Sequence, residues 1–374
     1  MKPEQFSKRI LISVTGLSPQ VLTETLYGLA VANPIPFIPT EIHLVTTVEG
    51  AHRAELYLLH PESGKFGALC HEYDLPYIKF DRSSIHIITN KDGDNMEDIR
   101  TPTENEAAAD FITQILSSLT RDPEAAVHVS IAGGRKTMGY YLGYALSLFG
   151  RQQDRLSHVL VSEGYEGHPE FFYPTKKSSV IYTRGDERPL ETDKAEISLA
   201  EIPFIRIRED IPQRLLDGEA GFSETINLAL KCDETPALLI DLVSKSIFVN
   251  DVIVKLDEVD LAFYCWVLDQ TLEKEVQLSK PYDGDPNECY RDQFLSHYVR
   301  VKGEDKDIQK TEDSLEKGMD KSFFEQRISR IGTRLRETLG KRLAEPFKIT
   351  RRGPRGKSYY ETGLSKEQIQ FREE

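Results

Sequence analysis

Two short stretches of this chain combine residue types that together could hold an anion. In the first, Ser130-Ile131-Ala132-Gly133-Gly134-Arg135-Lys136-Thr137-Met138, an apolar strand runs into two glycines, two cations and the start of a helix. Unpaired backbone N–H groups at a helix N-terminus, together with the positive end of its dipole, attract phosphate, and glycines let the ligand come close. In the second, Val14-Thr15-Gly16-Leu17-Ser18-Pro19-Gln20, a strand from Ile10 to Val14 closes and a helix opens through Thr23, Thr25 and Leu29. Two such turns in one open sheet point to a phosphate-rich ligand.

The alternation around these turns predicts the sheet. Strand-like runs at Ile10 to Val14, Glu41 to Thr46, Tyr77 to Phe80, Val127 to Ile131 and His158 to Val161 are separated by helical patterns, including Ala51 to Leu59, Glu104 to Leu119 and Thr137 to Leu148. That is the βαβ pattern of an α/β, Rossmann-like, doubly wound and mostly parallel sheet. For the helix from Glu104, Thr103 is the expected cap, with Glu106 completing a capping box. The Asp81 to Pro102 segment is too long for a plain connection and is expected to act as a lid. Ile202 to Ile207 looks strand-like again, and a helix is expected from Ser223 to Lys231.

At 374 residues and 42.6 kDa, two domains are expected, with the boundary at Asp233-Glu234-Thr235-Pro236: a first domain over 1–232 (core about 8–183, extension 184–232) and a second over 233–374. In the second, Ala237 to Val243 and Ile247 to Leu256, turned at Asn250-Asp251, suggest a small antiparallel sheet. Helices over Asp257 to Leu272, around Tyr290 to Val299 and from Phe323 to Leu339 follow, then two short strands around a basic Gly/Pro tip.

Composition sets limits. Mean hydropathy is -0.42 and no apolar run reaches membrane-spanning length, while Met1 to Ser7 is polar rather than signal-like, so a cytoplasmic protein without membrane contact is expected. Cys70, Cys232, Cys265 and Cys289 are scattered and have no CxxC spacing. His43, His52, His60, His71, His128 and His158 form no HxH or HExxH pattern, and neither a metal nor a cofactor is expected. The net charge of -14 argues against indiscriminate nucleic-acid binding, yet Lys321 to Lys357 holds twelve Lys or Arg against three Glu, a local +9 that leaves -23 for the rest. A basic C-terminal segment of this kind is a nucleic-acid footprint or a solvated helix face.

The C-terminal order of strands, three helices and a strand-flanked tip resembles the winged helix-turn-helix domain of OmpR-type response regulators. The resemblance implies an α+β domain whose last helix enters the major groove while the wing touches the backbone. It assigns DNA contacts to Arg327, Arg330, Arg334 and Arg336 on the helix and to Arg351, Arg352, Arg355 and Lys357 on the wing, although such domains also serve in dimerisation and protein docking.

Over about residues 8 to 230 the chain resembles a second family. Val14 to Tyr27, Ile99-Arg100-Thr101-Pro102-Thr103-Glu104-Asn105 and Gly133 to Met138, in that order, together with Ile202 to Arg206, are similar to the CRISPR-associated Rossmann fold (CARF) family and within it to the stand-alone ring nucleases. The resemblance implies a homodimer that surrounds one cyclic oligoadenylate, cyclic tetra-adenylate first among them, and a metal-free cleavage in which a 2′-hydroxyl attacks the neighbouring phosphorus. Lys136 and Ser18 are then the catalytic candidates. Thr15, Gly16, Gln20, Gly133, Gly134, Arg135 and Thr137 are the ligand-seat candidates, with Asp98, Arg100, Thr101 and Asn105 as lid or adenine contacts. The plainer alternatives are that Ser18 caps its helix, that Arg100 pairs with Asp98 or Glu104, and that Arg135 is a surface cation.

Three functions are compatible with this set. The chain could be an enzyme that destroys the second messenger of type III CRISPR complexes, or a ligand-controlled winged-helix transcription regulator without turnover. It could also be an effector ribonuclease using Arg291 and His297, whose spacing is that of HEPN ribonucleases.

Overall fold

The computed structural model describes residues 1–373 apart from 184–185, 217–221, 232–233, 274–275, 304–305 and 355–356. The chain divides into two compact units, one formed by Met1–Arg208 with Leu215–Thr225, the other by Glu209–Arg214 with Ile226–Glu374.

The first unit is built on β1 (Lys8–Val14), α1 (Gln20–Tyr27), β2 (Glu41–Thr46), α2 (Val48–Leu58), α3 (Lys65–Glu72), β3 (Ile85–Ile87), α4 (Pro102–Leu119), β4 (Ala125–Ser130), α5 (Lys136–Phe149) and β5 (Arg155–Val161). It is completed by a small hairpin of β6 (Val180–Tyr182) and β7 (Pro189–Glu191), by β8 (Ile197–Glu201), and by the end of α6 (Gln213–Leu216) and the start of α7 (Phe222–Leu230). The main sheet has the order β3-β2-β1-β4-β5-β8, parallel throughout except for antiparallel β8. In β1, Ile10, Leu11, Ile12 and Val14 are all wholly buried, as a central parallel strand covered on both faces must be. Leu11 joins Leu22, Leu26, Ala54, Leu58 and Leu69 from α1, α2 and α3 in one core, while α4 and α5 pack together as another layer.

Three expectations need correction. The third strand is Ile85–Ile87, not Tyr77 to Phe80; only Lys79 forms a single bridge, to Glu41. The edge strand is Ile197–Glu201 rather than Ile202 to Ile207, and Pro203 with the exposed Ile205 and Arg206 of that later run suits a surface path. Helix α4 starts two residues earlier than expected, because Pro102 takes the first helical position and Thr101 is the cap. The Glu104 N–H donates to the Thr101 hydroxyl at 3.2 Å, and the Thr101 N–H donates to the Glu104 carboxylate at 2.8 Å.

The segment before α4 is anchored as well. Ile88, Met96 and Ile99 are buried, and the Val48 N–H donates to the Met96 carbonyl at 3.0 Å.

The second unit holds a four-stranded sheet of order β11-β10-β9-β14, from β9 (Leu238–Asp241), β10 (Ser246–Val249), β11 (Val252–Lys255) and β14 (Ile369–Arg372), the last parallel to β9. The β10–β11 hairpin turns on Asn250 and Asp251, whose φ values of 44° and 66° fit a two-residue primed turn. Helices α8 (Glu258–Leu268), α9 (Glu288–Lys302), α10 (Gln309–Ser314) and α11 (Lys321–Ala344) follow, then a hairpin of β12 (Thr350–Arg352) and β13 (Tyr359–Glu361). In α8 every residue from Asp260 to Leu268 is buried; Phe263 and Trp266 meet Phe324 edge-on, and the Tyr264 hydroxyl donates to the Phe347 carbonyl at 2.6 Å. Helix α11 is interrupted at Gly340 (φ 79°), where an added Cβ would lie 2.1 Å from the Asp210 carbonyl oxygen.

One ion pair is sealed inside this unit. Arg327, buried on the same face as Phe324 and Ile331, donates from Nη1 to Asp260 at 2.8 Å, and Arg330 reaches the other Asp260 oxygen at 3.1 Å. Removing one partner strands the other charge out of water, so Asp260→Ala is expected to destabilise this unit by about 3–5 kcal/mol in urea unfolding, against about 0.5 kcal/mol or less for Arg336→Ala on the exposed face.

Candidate functional site

Strands β1 and β4 are neighbours, and each leaves the sheet at its C-terminal end into a glycine turn and a helix. The order 3-2-1-4-5 reverses direction between these two strands, which opens the crevice where ligands of parallel α/β sheets bind. The two turns touch: a Cβ added at Gly16 would lie 3.5 Å from the Gly134 Cα. Glycine is required opposite, since a Cβ at Gly133 would come 2.5 Å from the Val14 carbonyl oxygen, and Gly134 has φ 76°. The N-termini of α1 and α5 therefore open on one cleft of about 580 Å³, within the range of small-ligand sites.

Eight of the residues singled out from the sequence line this cleft: Gly16, Ser18, Gln20, Asp98, Arg100, Gly133, Gly134 and Arg135. Ser18 is exposed and is not the helix cap; Pro19 holds that position and supplies no side-chain bond. The other five lie off the lining. Thr15 is buried beneath it with its hydroxyl unpartnered, Thr101 caps α4, and Asn105 donates to the Tyr141 hydroxyl at 2.5 Å. Lys136 and Thr137, the first residues of α5, are exposed beside the cleft, and among the described residues Lys136 has no ion partner.

The cleft carries charges of both signs. At the rim Arg135 grips Asp98 in a bidentate pair, Nε to Oδ1 at 2.8 Å and Nη2 to Oδ2 at 2.5 Å, while Arg100 Nε donates to Asp98 at 2.9 Å. Arg135 first and Arg100 second hold the Asp98 carboxyl well below the usual carboxylate range. A carboxylate between two guanidiniums occupies the geometry of a phosphate, and the pair holds both cations at the mouth of the glycine turns.

Four acids also line the cleft, buried Glu24 and exposed Glu49, Glu97 and Glu166, along with His158. Sequence reasoning missed these residues. Glu24 was the most accessible of them, because it sits among Leu22, Thr23, Thr25 and Leu26 in a wholly buried stretch of α1, where an acid has no solvated face. Burial, with a smaller push from the nearby Glu166 charge, raises the Glu24 carboxyl to about 8.

A family model described as CRISPR-associated protein NE0113 matches residues 18–233, more than half of the chain and including the Gly133-Gly134 turn. The chain belongs to this family. The matched span of the NE0113 member takes in every residue that lines the cleft except Gly16 and Leu17. Among solved structures it is similar to the Enterococcus italicus Csm6 bound to cyclic hexa-2′-fluoro-hexa-dAMP, at 15% identity, with 41% of this chain and 34% of that one covered and a TM-score of 0.27. That likeness is too slight to assign a fold or a ligand, and the chain spans about a third of that protein's length. No relative among curated proteins matches it. Among the described residues no helix is long and apolar enough to cross a membrane.

In the second unit the basic residues are less free than their sequence suggests. Arg327 belongs to the core pair with Asp260, which corrects its expected place on a DNA-facing surface: it falls three residues after Phe324 and four before Ile331, on the buried stripe. Arg330 pairs with Asp257 and Asp260, and Arg334 donates to the Lys255 carbonyl at 3.1 Å. Arg336, Arg351 and Lys357 are exposed, Arg352 lies 3.8 Å from Glu361, and Arg355 falls outside the described residues. Arg291 and His297 turn to different partners: Arg291 donates to the Glu316 carbonyl at 2.9 Å, whereas His297 faces Asp269 at 3.6 Å.

The raised Glu24 carboxyl makes stability depend on pH. The folded state keeps a proton that the unfolded state, with the ordinary glutamate value of 4.5, releases, so stability falls as pH rises from about 4.5 to about 8. Glu24→Gln, which keeps the neutral shape, is expected to melt a few degrees above the wild type at pH 8.5, with the gap closing by pH 5, as followed by calorimetry.

Proposed function

We propose that this NE0113-family protein is a ring nuclease of the CARF type: it binds a cyclic oligoadenylate, cyclic tetra-adenylate first, between two copies of the cleft and cuts it without metal. The observation that carries the proposal is the contact of the two glycine turns at the ends of β1 and β4, which aims two helix N-termini into one cleft. A ring of four phosphates suits a twofold protein, each copy seating half of it.

The reaction needs little from the protein. The 2′-hydroxyl oxygen bonds to the adjacent phosphorus as the P–O5′ bond breaks, giving a 2′,3′-cyclic phosphate and a 5′-hydroxyl, and two such cuts yield linear di-adenylate. The protein must align attacking and leaving oxygens and stabilise the extra phosphoryl charge. Lys136, exposed at the first turn of α5 and free of any described ion partner, supplies that charge stabilisation or protonates the leaving oxygen. Ser18, its hydroxyl uncommitted to a cap, orients the 2′-hydroxyl or holds the scissile phosphate through its N–H. Arg135 and Arg100, held at the rim by Asp98, meet the flanking phosphates.

A second reading, a ring-controlled winged-helix regulator, is favoured by the element order of the second unit and by exposed Arg336, Arg351 and Lys357 on α11 and beside the β12–β13 turn. Ligand control would require the ring to bind one arrangement of the dimer more tightly than another.

Two measurements separate the readings. Purified protein incubated with labelled cyclic tetra-adenylate in EDTA is expected to release linear di-adenylate ending in cyclic phosphate, with Lys136→Ala slowing cleavage by about 10²–10³-fold; an intact, retained ring supports the sensor, and full activity in Lys136→Ala refutes the assigned role. Promoter DNA from the host's CRISPR locus is expected to be shifted in a gel only if the second reading holds, and Arg336→Ala with Arg351→Ala then weakens the shift and flattens its salt dependence.

A further inference from the structure

One acid in the cleft has no part in the phosphate chemistry. Glu24 is 4% exposed, its neighbours on α1 are buried, and among the described residues no hydrogen bond reaches its carboxyl. On the same wall one turn earlier, the Gln20 Oε1 is buried and also without a partner. Buried polar atoms left unsatisfied are costly and uncommon, and the Gln20 oxygen beside a nearly buried acid on one wall of a ligand-sized cleft marks where a ligand's polar edge belongs.

The charged and titratable groups that share the cleft restrict what that edge can be. Glu166 follows β5, His158 lies on β5, Glu49 on α2, and Glu97, Asp98 and Arg100 precede α4, with Arg135 just before α5. Both arginines are committed to Asp98, and the group acting on Glu24 is another acid, so Glu24 has no counter-cation and rests as the neutral carboxylic acid. In that form one planar group carries a donor beside an acceptor. A wall formed by Glu24 and Gln20, with Glu166 nearby, suits neither a phosphate nor a sugar–phosphate backbone, whereas it does suit an exocyclic amine.

We propose that Glu24 is the base-reading residue of the cleft: its carboxylic acid pairs with the edge of an adenine, donating to a ring nitrogen and accepting from the N6 amine. This rests on the ring-binding reading above and adds to it which part of the ligand meets the Glu24 wall. Adenine offers the required pair on both its edges, N1 or N7 as acceptor beside the N6 donor. Ionisation of Glu24 removes the donor and turns the carboxylate against the ring-nitrogen lone pair.

Equilibrium binding of cyclic tetra-adenylate, measured in EDTA from pH 6.5 to 9.5 with Lys136→Ala present throughout to prevent turnover, tests this. Affinity is expected to fall above about pH 8 by up to tenfold per pH unit. The added Glu24→Gln, which keeps donor and acceptor, is expected to bind within threefold of its parent at pH 6.5 and show a flat profile, and Glu24→Leu to bind at least tenfold more weakly. A cyclic tetranucleotide of purine riboside, which lacks the N6 amine, needs no change at Glu24 and is expected to bind about tenfold more weakly than the adenine ring. Equal affinity for the two rings, or a flat pH profile with Glu24→Leu binding undiminished, overturns the base-reading role and leaves ring binding standing. No binding of the adenine ring at any pH overturns both.

Discussion

The site depends on one steric condition: the chain must pass close enough at the ends of β1 and β4 for two turns to touch. Val14 ends its strand with a carbonyl oxygen that leaves no room for a side chain at Gly133, and Gly134 must adopt a positive φ to redirect the chain into α5. Because those strands are the central parallel pair, buried on both faces, neither can shift to make room for a larger residue. The same register that fixes the sheet therefore fixes two helix N-termini at one cleft, and the anion seat follows from the fold without a dedicated binding element.

A second constraint is the split of charge within the cleft. Two guanidiniums and two helix ends share the lining with four glutamates, of which only Glu24 is buried. Asp98 reconciles the two by holding Arg135 and Arg100 in place, so the guanidiniums do not turn inward to neutralise Glu24 or Glu166. Glu24 then remains available for a ligand's amino group, at a cost in stability that grows with pH.

Much of this was legible in the sequence because it rests on local chemistry. The strand–glycine–helix transitions at Thr15 to Ser18 and Gly133 to Lys136 depend on residue types that only glycine and helix-start chemistry explain, and the Asn250-Asp251 hairpin turn is set by two residues tolerant of positive φ. What escaped depends on partners distant in the chain. Ile85–Ile87 becomes the strand instead of Tyr77 to Phe80 because the ladder with Leu44, Val45 and Thr46 is available there. Lys65–Glu72 was not anticipated as a helix; it places Leu69 in a core supplied by α1 and α2. Arg327 looked like a surface cation until Asp260, 67 residues earlier in the chain, supplied its buried partner. Glu24 was hidden by the same logic, since an acid in an apolar stretch has meaning only once the cleft beside it is seen.

In the second unit, Arg327, Arg330 and Arg334 of α11 are held by Asp257, Asp260 and the end of β11, while Arg336 and Arg351 stay exposed. The central claim nevertheless concerns the first unit: both glycine turns hold one ligand. Hydrogen–deuterium exchange of the Lys136→Ala protein with and without cyclic tetra-adenylate tests it most directly. The account predicts that the amides of Gly16 to Val21 and of Gly133 to Met138 gain protection together, at one ligand concentration. Protection confined to one turn, or appearing only between Lys321 and Glu361, would contradict it.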